Sequence, residues 1–432
     1  MRRGLVYPYN PCMAPIVTGL TGPFGSGCSE TAKVLQGRHD YRVVRLSDVV
    51  RREWDRQNPE TPPKRADLQS LGDQMRRQGG NPGVLAEKAI ADLGPLGEGE
   101  GLVIDGIRNT GETDYFRDRF GSGFFLFALE CPTSQRWGRL CHLYERGDAG
   151  GLEAFRKDDE RDRDEDYKYG QQVQLCVDQA DLLINNTDEA GIAALREKVP
   201  RYIDLVAGRA PRYATPSEIF MNLAYSAAHG SKCQKRQVGA VIVAAGPGKM
   251  GDIVGQGFNE SPAPTKPCVE EEQYGADVQS GRRGKCHRDK VRDDAFASFV
   301  ANQVRCPLCG SVLTDGGGDE PRWKCRHCGQ DLEKYFWSER AMTLCTAIHA
   351  EVAARFAAGR RSRGATLYTT TFPCFQCTEK IILTGIKCIV FNEPYPDVRA
   401  GHRLELASVE TERFEGVRSR RFDEIFARAR RG

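Results

Sequence analysis

The chain has 432 residues, with 62 lysines and arginines against 59 aspartates and glutamates, a net charge of +3, and a mean hydropathy of −0.52. That length calls for two or more domains. The near-balance of charge gives no global attraction to nucleic acid, and no apolar run approaches the ~20 residues of a membrane span.

The opening stretch MRRGLVYPYNPCMAP carries two arginines but no long apolar core, so a secretory signal is not expected and residues 1–14 read as an N-terminal extension. Residues 15–22 (PIVTGLTG) form an apolar strand running into GPFGSGCSE, with a helix expected from about Ser29. Gly22, Gly25, Ser26, Gly27, Cys28 and Ser29 fit the spacing G-x-x-x-x-G-K-[ST], in which backbone amides cradle phosphates at a helix N-terminus. Cys28 stands where the lysine belongs. Its presence keeps the backbone nest but removes the charge on the outer phosphates, so nucleotide binding with negligible phosphoryl transfer is expected. Ser29 could hold Mg²⁺ of a bound nucleoside triphosphate, with Asp105 after strand GLVID as the acidic partner. LVIDGIRN (102–109), FFLFALECPTSQRWGRL (124–140) and CVDQADLLINNTD (176–188) alternate apolar strands with polar helices, as a parallel sheet requires. The charged run RKDDERDRDEDYK (156–168) reads as a solvated face, with Arg161 and Arg163 as candidates to approach phosphates. These elements set a first domain at 15–205.

A second domain is expected over 212–432. KRQVGAVIVAA (235–245) is a buried strand, and DIVGQGFNESP supplies a second one that ends at Asn259. CPLCG (306–310) and CRHCG (325–329) place Cys306, Cys309, Cys325 and Cys328 in two knuckles. Four thiolates fill a tetrahedron, which makes a closed, structural Zn²⁺ site within an insertion at about 300–332. Cys268, Cys286 and His287 are spaced loosely in a charged segment and read as ordinary loop residues, and Cys345 reads as a packing residue on the helix of His349.

TAIHAEVAA then presents His349 and Glu351, and TTFPCFQCTEK presents Cys374 and Cys377. H-x-E followed by P-C-x-x-C is the pattern of zinc deaminases acting on nucleobases. One imidazole and two thiolates make three ligands to a catalytic Zn²⁺ and leave the fourth position for water. Glu351 is not a ligand and is the candidate proton shuttle. The helix of His349, strand ATLYTT, the helix opened by PCFQC and strand GIKCIVFNE complete an α/β/α sandwich with the metal between two helix N-termini. The tail RFEGVRSRRFDEIFARARRG (within about 405–432) reads as a docking helix rather than a nucleic-acid arm. Seven cysteines stand at metal-type spacings or in the phosphate loop, which places the chain in a reducing cytosol.

On SAAHGSKCQKRQVGAVIV, GFNESP, IHAEVAA, TFPCFQC and GIKCIVFNEPYPD, residues 212–397 resemble the deoxycytidylate deaminase family. The resemblance implies that Asn259 contacts substrate and Tyr395 closes over it. More loosely, residues 15–205 resemble small P-loop kinases of the dephospho-coenzyme A kinase and nucleoside-monophosphate kinase type. The fusion resembles bacterial antiphage deoxycytidine-nucleotide deaminases. That resemblance implies conversion of dCMP or dCTP to the uracil nucleotide, a sensing first domain with a nucleotide effector, a homo-oligomer, and a regulatory RNA or protein as further partners, with no membrane. A bifunctional kinase–deaminase of pyrimidine salvage and a polynucleotide cytosine deaminase are the rival readings.

Overall fold

A computed structural model of the protein describes residues 15–38, 41–97, 99–144, 151–163, 168–187, 192–270, 286–291, 294, 305–306, 309–311, 325, 327–328, 345–395 and 398–427. The 1–14 extension lies outside them. The strands are β1 (Val17–Thr21), β2 (Tyr41–Arg45), β3 (Gly101–Asp105), β4 (Phe124–Glu130), β5 (Leu182–Asn185), β6 (Gly239–Val243), β7 (Ile253–Phe258), β8 (Thr366–Thr371), β9 (Cys388–Glu393), β10 (Glu410–Arg413) and β11 (Gly416–Val417). The helices are α1 (Cys28–Gln36), α2 (Leu46–Gln57), α3 (Arg65–Gln78), α4 (Val84–Ala91), α5 (Thr110–Phe120), α6 (Thr133–Tyr144), α7 (Gly151–Arg163), α8 (Val173–Asp178), α9 (Ile192–Val206), α10 (Pro216–Ala228), α11 (Ala350–Ala358), α12 (Phe375–Thr384), α13 (Val398–Leu406) and α14 (Ser419–Phe426).

The chain divides into two units, Met1–Asn222 with Arg413–Gly432, and Leu223–Glu412. In the first unit the sheet order is β11-β5-β4-β1-β3-β2, parallel except for β11. Its strands β4 and β5 are near-continuous apolar runs because both faces are covered. Along β4, Phe124, Leu126 and Ala128 join one buried cluster with residues of α2–α5 and α8, while Phe125, Phe127 and Leu129 join another with α1 and α9.

The division differs from the 212–432 second domain expected from sequence, since Arg413–Gly432 goes with the first unit. Gly416 and Val417 pair antiparallel with Leu183 and Leu182 at the edge of β5, and Ile425 is buried in the second of those clusters. Two tail arginines donate to this unit's carbonyls, Arg418 to Val177 O at 2.6 Å and Arg421 to Phe124 O at 2.8 Å, and residues 428–432 lie outside the described residues. Hydrophobic burial and edge pairing therefore dock the tail.

The second unit is built on a mixed sheet of order β10-β9-β8-β6-β7, with β8 and β9 parallel and β6 antiparallel to both its neighbours. Ala240 pairs with Gly257 and Ile242 with Gly255, so these four residues share one face. Helix α11 lies on it through Ala350, Ala354 and Ala358. A Cβ on Gly257 would stand 2.4 Å from the backbone nitrogen of Ala354, and one on Gly255 2.2 Å from its carbonyl oxygen. The opposite face receives α10, where a Cβ on Gly239 would stand 1.9 Å from Ala224 O.

Two outcomes follow. Gly257→Ala should cost about 1–3 kcal/mol through forced separation of α11 from β7, and an unchanged urea midpoint would contradict this packing. Ile425→Ala should cost roughly 2–5 kcal/mol, read in the same way, because the tail helix contributes to the first unit's core.

Candidate active site and metal centres

His349 is the N-cap of α11 and Cys374 the N-cap of α12, both with extended backbone, and Cys377 lies in the first turn of α12. The two helix starts aim one imidazole and two sulfurs at a common point. The Nδ1 atom of His349 stands 3.4 Å from Cys374 Sγ and 3.2 Å from Cys377 Sγ. With Zn–S of ~2.3 Å and Zn–N of ~2.0–2.1 Å, the S···N edge of a tetrahedron is about 3.6 Å. The donor set therefore fits zinc. A hydrogen bond from Cys377 draws the Cys374 thiol down to about 4, while that contact and burial push the Cys377 thiol up. The Cys374 contact also raises the His349 pKa.

Glu351 sits in the first turn of α11, 5% exposed, and its Oε2 accepts from Cys377 Sγ at 3.5 Å. Burial raises its carboxyl above the usual range. Asn259 is buried at the end of β7. Its Oδ1 accepts from Val238 N at 2.7 Å and its Nδ2 donates to Arg236 O at 2.9 Å, so it braces the entrance to β6. Tyr395 is half-buried against the core that contains Cys374 and Cys377.

Cys345 does not lie on the helix of His349. Helix α11 begins only at Ala350, and the preceding segment is extended, with Ile348 bridged to Glu260 through backbone bonds of 2.9 and 3.2 Å. That pairing takes up the backbone groups a helical turn would need.

The four knuckle cysteines converge. Cys306 and Cys328 Sγ are 3.9 Å apart and Cys309 and Cys325 Sγ 3.6 Å, close to the roughly 3.8 Å edge of a tetrathiolate zinc site. Gly310, at φ +71°, lets its N–H reach Cys306 O at 2.9 Å and closes the first knuckle. Hydrogen bonds from Ser311 lower Cys325 to about 5 and Cys309 to about 7. Four sulfurs would fill every position of a tetrahedral metal, as a structural site requires.

In the first unit the loop from Gly22 to Gly27 opens α1 at Cys28, with Gly22, Gly25 and Gly27 at φ of +152°, +83° and +112°. Side chains grip its carbonyls: Arg136 binds Phe24 O at 3.0 Å, Arg139 binds Gly25 O at 3.2 Å, and Asn186 binds Ser26 O at 2.7 Å. In a trans peptide this turns the following amide the opposite way. Burial, reinforced by the charge of Asp105, pushes the Cys28 thiol up to about 12, so it stays neutral. Burial also raises the Asp105 carboxyl, opposed by a hydrogen bond from Ser29 and by Arg45 at 3.7 Å.

Beyond the loop lies a cavity of about 1090 Å³, within reach of the largest usual ligand sites. Arg65 and Arg108 line it. Both pair with buried Asp162 of α7, Arg108 at 2.8 Å, and Arg65 stacks on Phe24 at 3.6 Å. Arg161, one of the expected phosphate arginines, instead pairs with Asp73 at 3.1 Å, and Arg163 is exposed. Residues 164–167 of that charged run lie outside the described residues. The pair Arg65 and Arg108 was missed in the sequence. D-G-I-R-N contained Arg108, but only the fold brings Arg65 to the same carboxylate.

Known families match both units. The description "Cytidine and deoxycytidylate deaminase zinc-binding region" fits residues 215–393, and "AAA domain" fits residues 19–179. A deoxycytidylate deaminase of Schizosaccharomyces pombe is 28% identical over 240 residues, 54% of each chain, so this chain spans about half the length of that relative. The solved dCMP deaminase of cyanophage S-TIM5 is 19% identical, aligned whole to 47% of this chain at a TM-score of 0.27. The UPF0200 protein OE_4442F of Halobacterium salinarum is 30% identical over 202 residues, 46% of this chain and 97% of the relative. The chain belongs to the UPF0200 protein family, and it joins an AAA-type, P-loop kinase-like domain to a cytidine and deoxycytidylate deaminase zinc-binding domain.

Proposed function

We propose that the second unit deaminates deoxycytidine nucleotides, dCMP or dCTP, to the uracil nucleotide and ammonia, and that the first unit binds a nucleotide and regulates it. The observation that carries this reading is the convergence of His349 Nδ1, Cys374 Sγ and Cys377 Sγ beside the buried carboxyl of Glu351. The deoxy substrate rests on the named S. pombe relative. Depletion of the deoxycytidine pool in antiphage defence is the role this domain pairing suits.

Zinc held by His349, Cys374 and Cys377 would supply Lewis-acid activation of the water that attacks C4 of cytosine. The protein's own work is proton transfer and positioning. Glu351, shielded from solvent, accepts a proton from that water and passes it to the ring nitrogen, then carries a second proton, from the hydroxyl now on C4, to the departing ammonia. Its raised pKa suits both halves of the task. Asn259, already fixed by Arg236 and Val238, would offer its remaining amide hydrogen to the substrate, and Tyr395 would close over it.

For the first unit, the glycine nest with Ser29 and Asp105 would bind a nucleoside triphosphate and Mg²⁺. A neutral Cys28 thiol places no charge on the outer phosphates. That supports binding without transfer and disfavours the kinase–deaminase rival. Two of the tail arginines on which the polynucleotide rival relies, Arg418 and Arg421, are engaged within the first unit.

Glu351→Ala should retain zinc and lose deamination of dCMP and dCTP by about 10²–10⁴-fold. Near-native turnover at full zinc content would refute the assignment, and a preference for single-stranded DNA over free nucleotide in the same assay would favour the polynucleotide reading. Calorimetric titration with a non-hydrolysable triphosphate should show binding that Gly27→Glu abolishes, because a side chain there meets Asn186 Nδ2 at 2.6 Å with φ at +112°. Occupancy should change dCMP turnover by roughly 5–150-fold. Brisk ATP hydrolysis would move the bifunctional rival ahead.

A further inference from the structure

Cys388 opens β9, and Glu410 and Glu412 lie on β10, the edge strand beside it. Glu410 N donates to Lys387 O at 2.9 Å, which sets the two strands against each other. Residues two apart on a strand share a face, so both carboxylates stand on the same side of β10. Ile389 belongs to the core under α11 and α12, so alternation sends Cys388 to the opposite face of the sheet, away from the candidate active site. There Cys388 Sγ and one oxygen of each carboxylate lie within 4.8 Å of one another. Charged side chains on an edge strand commonly guard it against pairing with another chain, and that accounts for two exposed glutamates. It does not account for the thiol beneath them. Cys388 is 2% exposed, and no described residue makes a hydrogen bond with its sulfur or an ion pair with either carboxylate. Elsewhere in the second unit an exposed carboxylate does find a cation, as Glu379 does in Arg403 at 2.6 Å.

We propose that Cys388, Glu410 and Glu412 form a further metal site that takes a zinc ion, fastening edge strand β10 to β9 where the chain leaves the second unit. Zinc binds thiolate and carboxylate alike, whereas magnesium and calcium take oxygen and leave sulfur aside. Cys388 binds as the thiolate and gives its proton to solvent. A dication among one thiolate and two carboxylates replaces mutual repulsion with attraction, and the low exposure of the sulfur keeps that attraction strong. Three protein ligands leave a fourth position for water, so this ion exchanges more readily than one closed in by four sulfurs. Glu412 is the last residue of the second unit, and Arg413 is counted with the first. Zinc across β9 and β10 therefore holds the strand from which the chain departs. The site shares no ligand with the candidate active site or the knuckles, and it stands whether or not the second unit acts on dCMP.

The test is zinc binding by the full chain, purified reduced and titrated with zinc, with bound ions counted by native mass spectrometry. At equal free zinc, wild type should hold one ion more than Cys388→Ser, and one more than the Glu410→Gln/Glu412→Gln double variant. Both glutamates are exposed, so the double variant keeps the fold and decides the matter should Cys388→Ser not fold. Glu412→Gln alone should weaken the exchangeable zinc by at least about 10–100-fold, the loss that removal of even an outer-shell partner brings. In every variant Cys306 and Cys374 should stay protected from alkylation, mapped by peptide mass, which shows that the missing ion is not theirs. With cobalt in place of zinc, wild type should absorb more strongly than the double variant in the sulfur-to-metal charge-transfer band, by the contribution of a single thiolate. The double variant retains every sulfur, so that difference reports a metal held on Cys388 by the carboxylates. Equal zinc counts in wild type and the double variant, or equal cobalt bands, would overturn the proposal and leave the glutamates as guards of an edge strand. A lowered count accompanied by alkylation of Cys306 or Cys374 would overturn it as well.

Discussion

The candidate active site depends on a backbone-to-backbone contact. Helix α11 rests directly on β6 and β7 because Gly255 and Gly257 present no side chain where Ala354 approaches. Small residues on both surfaces let the helix come closer than ordinary side chains would permit, and that approach sets the height of its first turn. His349 at the cap and Glu351 two residues inside it inherit their positions from this contact. Cys374 and Cys377 meet them because β8 runs between β6 and β9 and delivers α12 to the same sheet end. Each helix N-terminus also favours negative charge, which suits two thiolates and a carboxylate gathered within a few ångströms.

The sulfur chemistry divides by environment. At half-buried Cys28 and buried Cys176 desolvation outweighs the nearby Arg108 and Arg76, and their thiols stay protonated, Cys28 near 12. Ser311 hydrogen bonds pull Cys309 and Cys325 down to about 7 and 5, into the range where a thiolate is available to a metal. Desolvation raises a thiol, whereas donated hydrogen bonds and neighbouring charge lower it. The same residue type therefore serves as inert filling in the phosphate loop and as a ligand in the knuckles.

The first unit solves a charge problem without the lysine usual to its loop. Two arginines from distant parts of the chain, Arg65 and Arg108, converge on Asp162, which is 1% exposed and receives a further bond from Gln69 at 2.5 Å. A buried carboxylate needs such compensation, and here compensation also lines the cavity with guanidinium groups. Helix α7, read from sequence as a solvated charge run, is thus part of the wall. Its charges alternate between buried ion pairs, as at Asp162, and exposed positions, as at Arg163, and that split is invisible in composition.

Much of the chemistry was legible in the residues themselves. H-x-E, P-C-x-x-C, each C-x-x-C-G knuckle and a glycine loop opening a helix are local patterns, because within each motif the key residues lie within a turn of one another and local spacing sets their geometry. The parallel sheet of the first unit and the α/β layering of the second were legible for the same reason, since apolar runs between polar segments are short-range signals. The tail's attachment was not, because two residues of edge strand and one buried isoleucine carry little pattern, and only the free edge of β5 gives them a partner. The Arg65–Asp162–Arg108 cluster was not legible either. Each residue there is a singleton separated from its partners by tens of positions, so no spacing rule joins them. The sequence determined which ligands stand together along the chain, and tertiary structure decided which distant ones meet, because chain closure over long separations is fixed by core packing and not by local propensity.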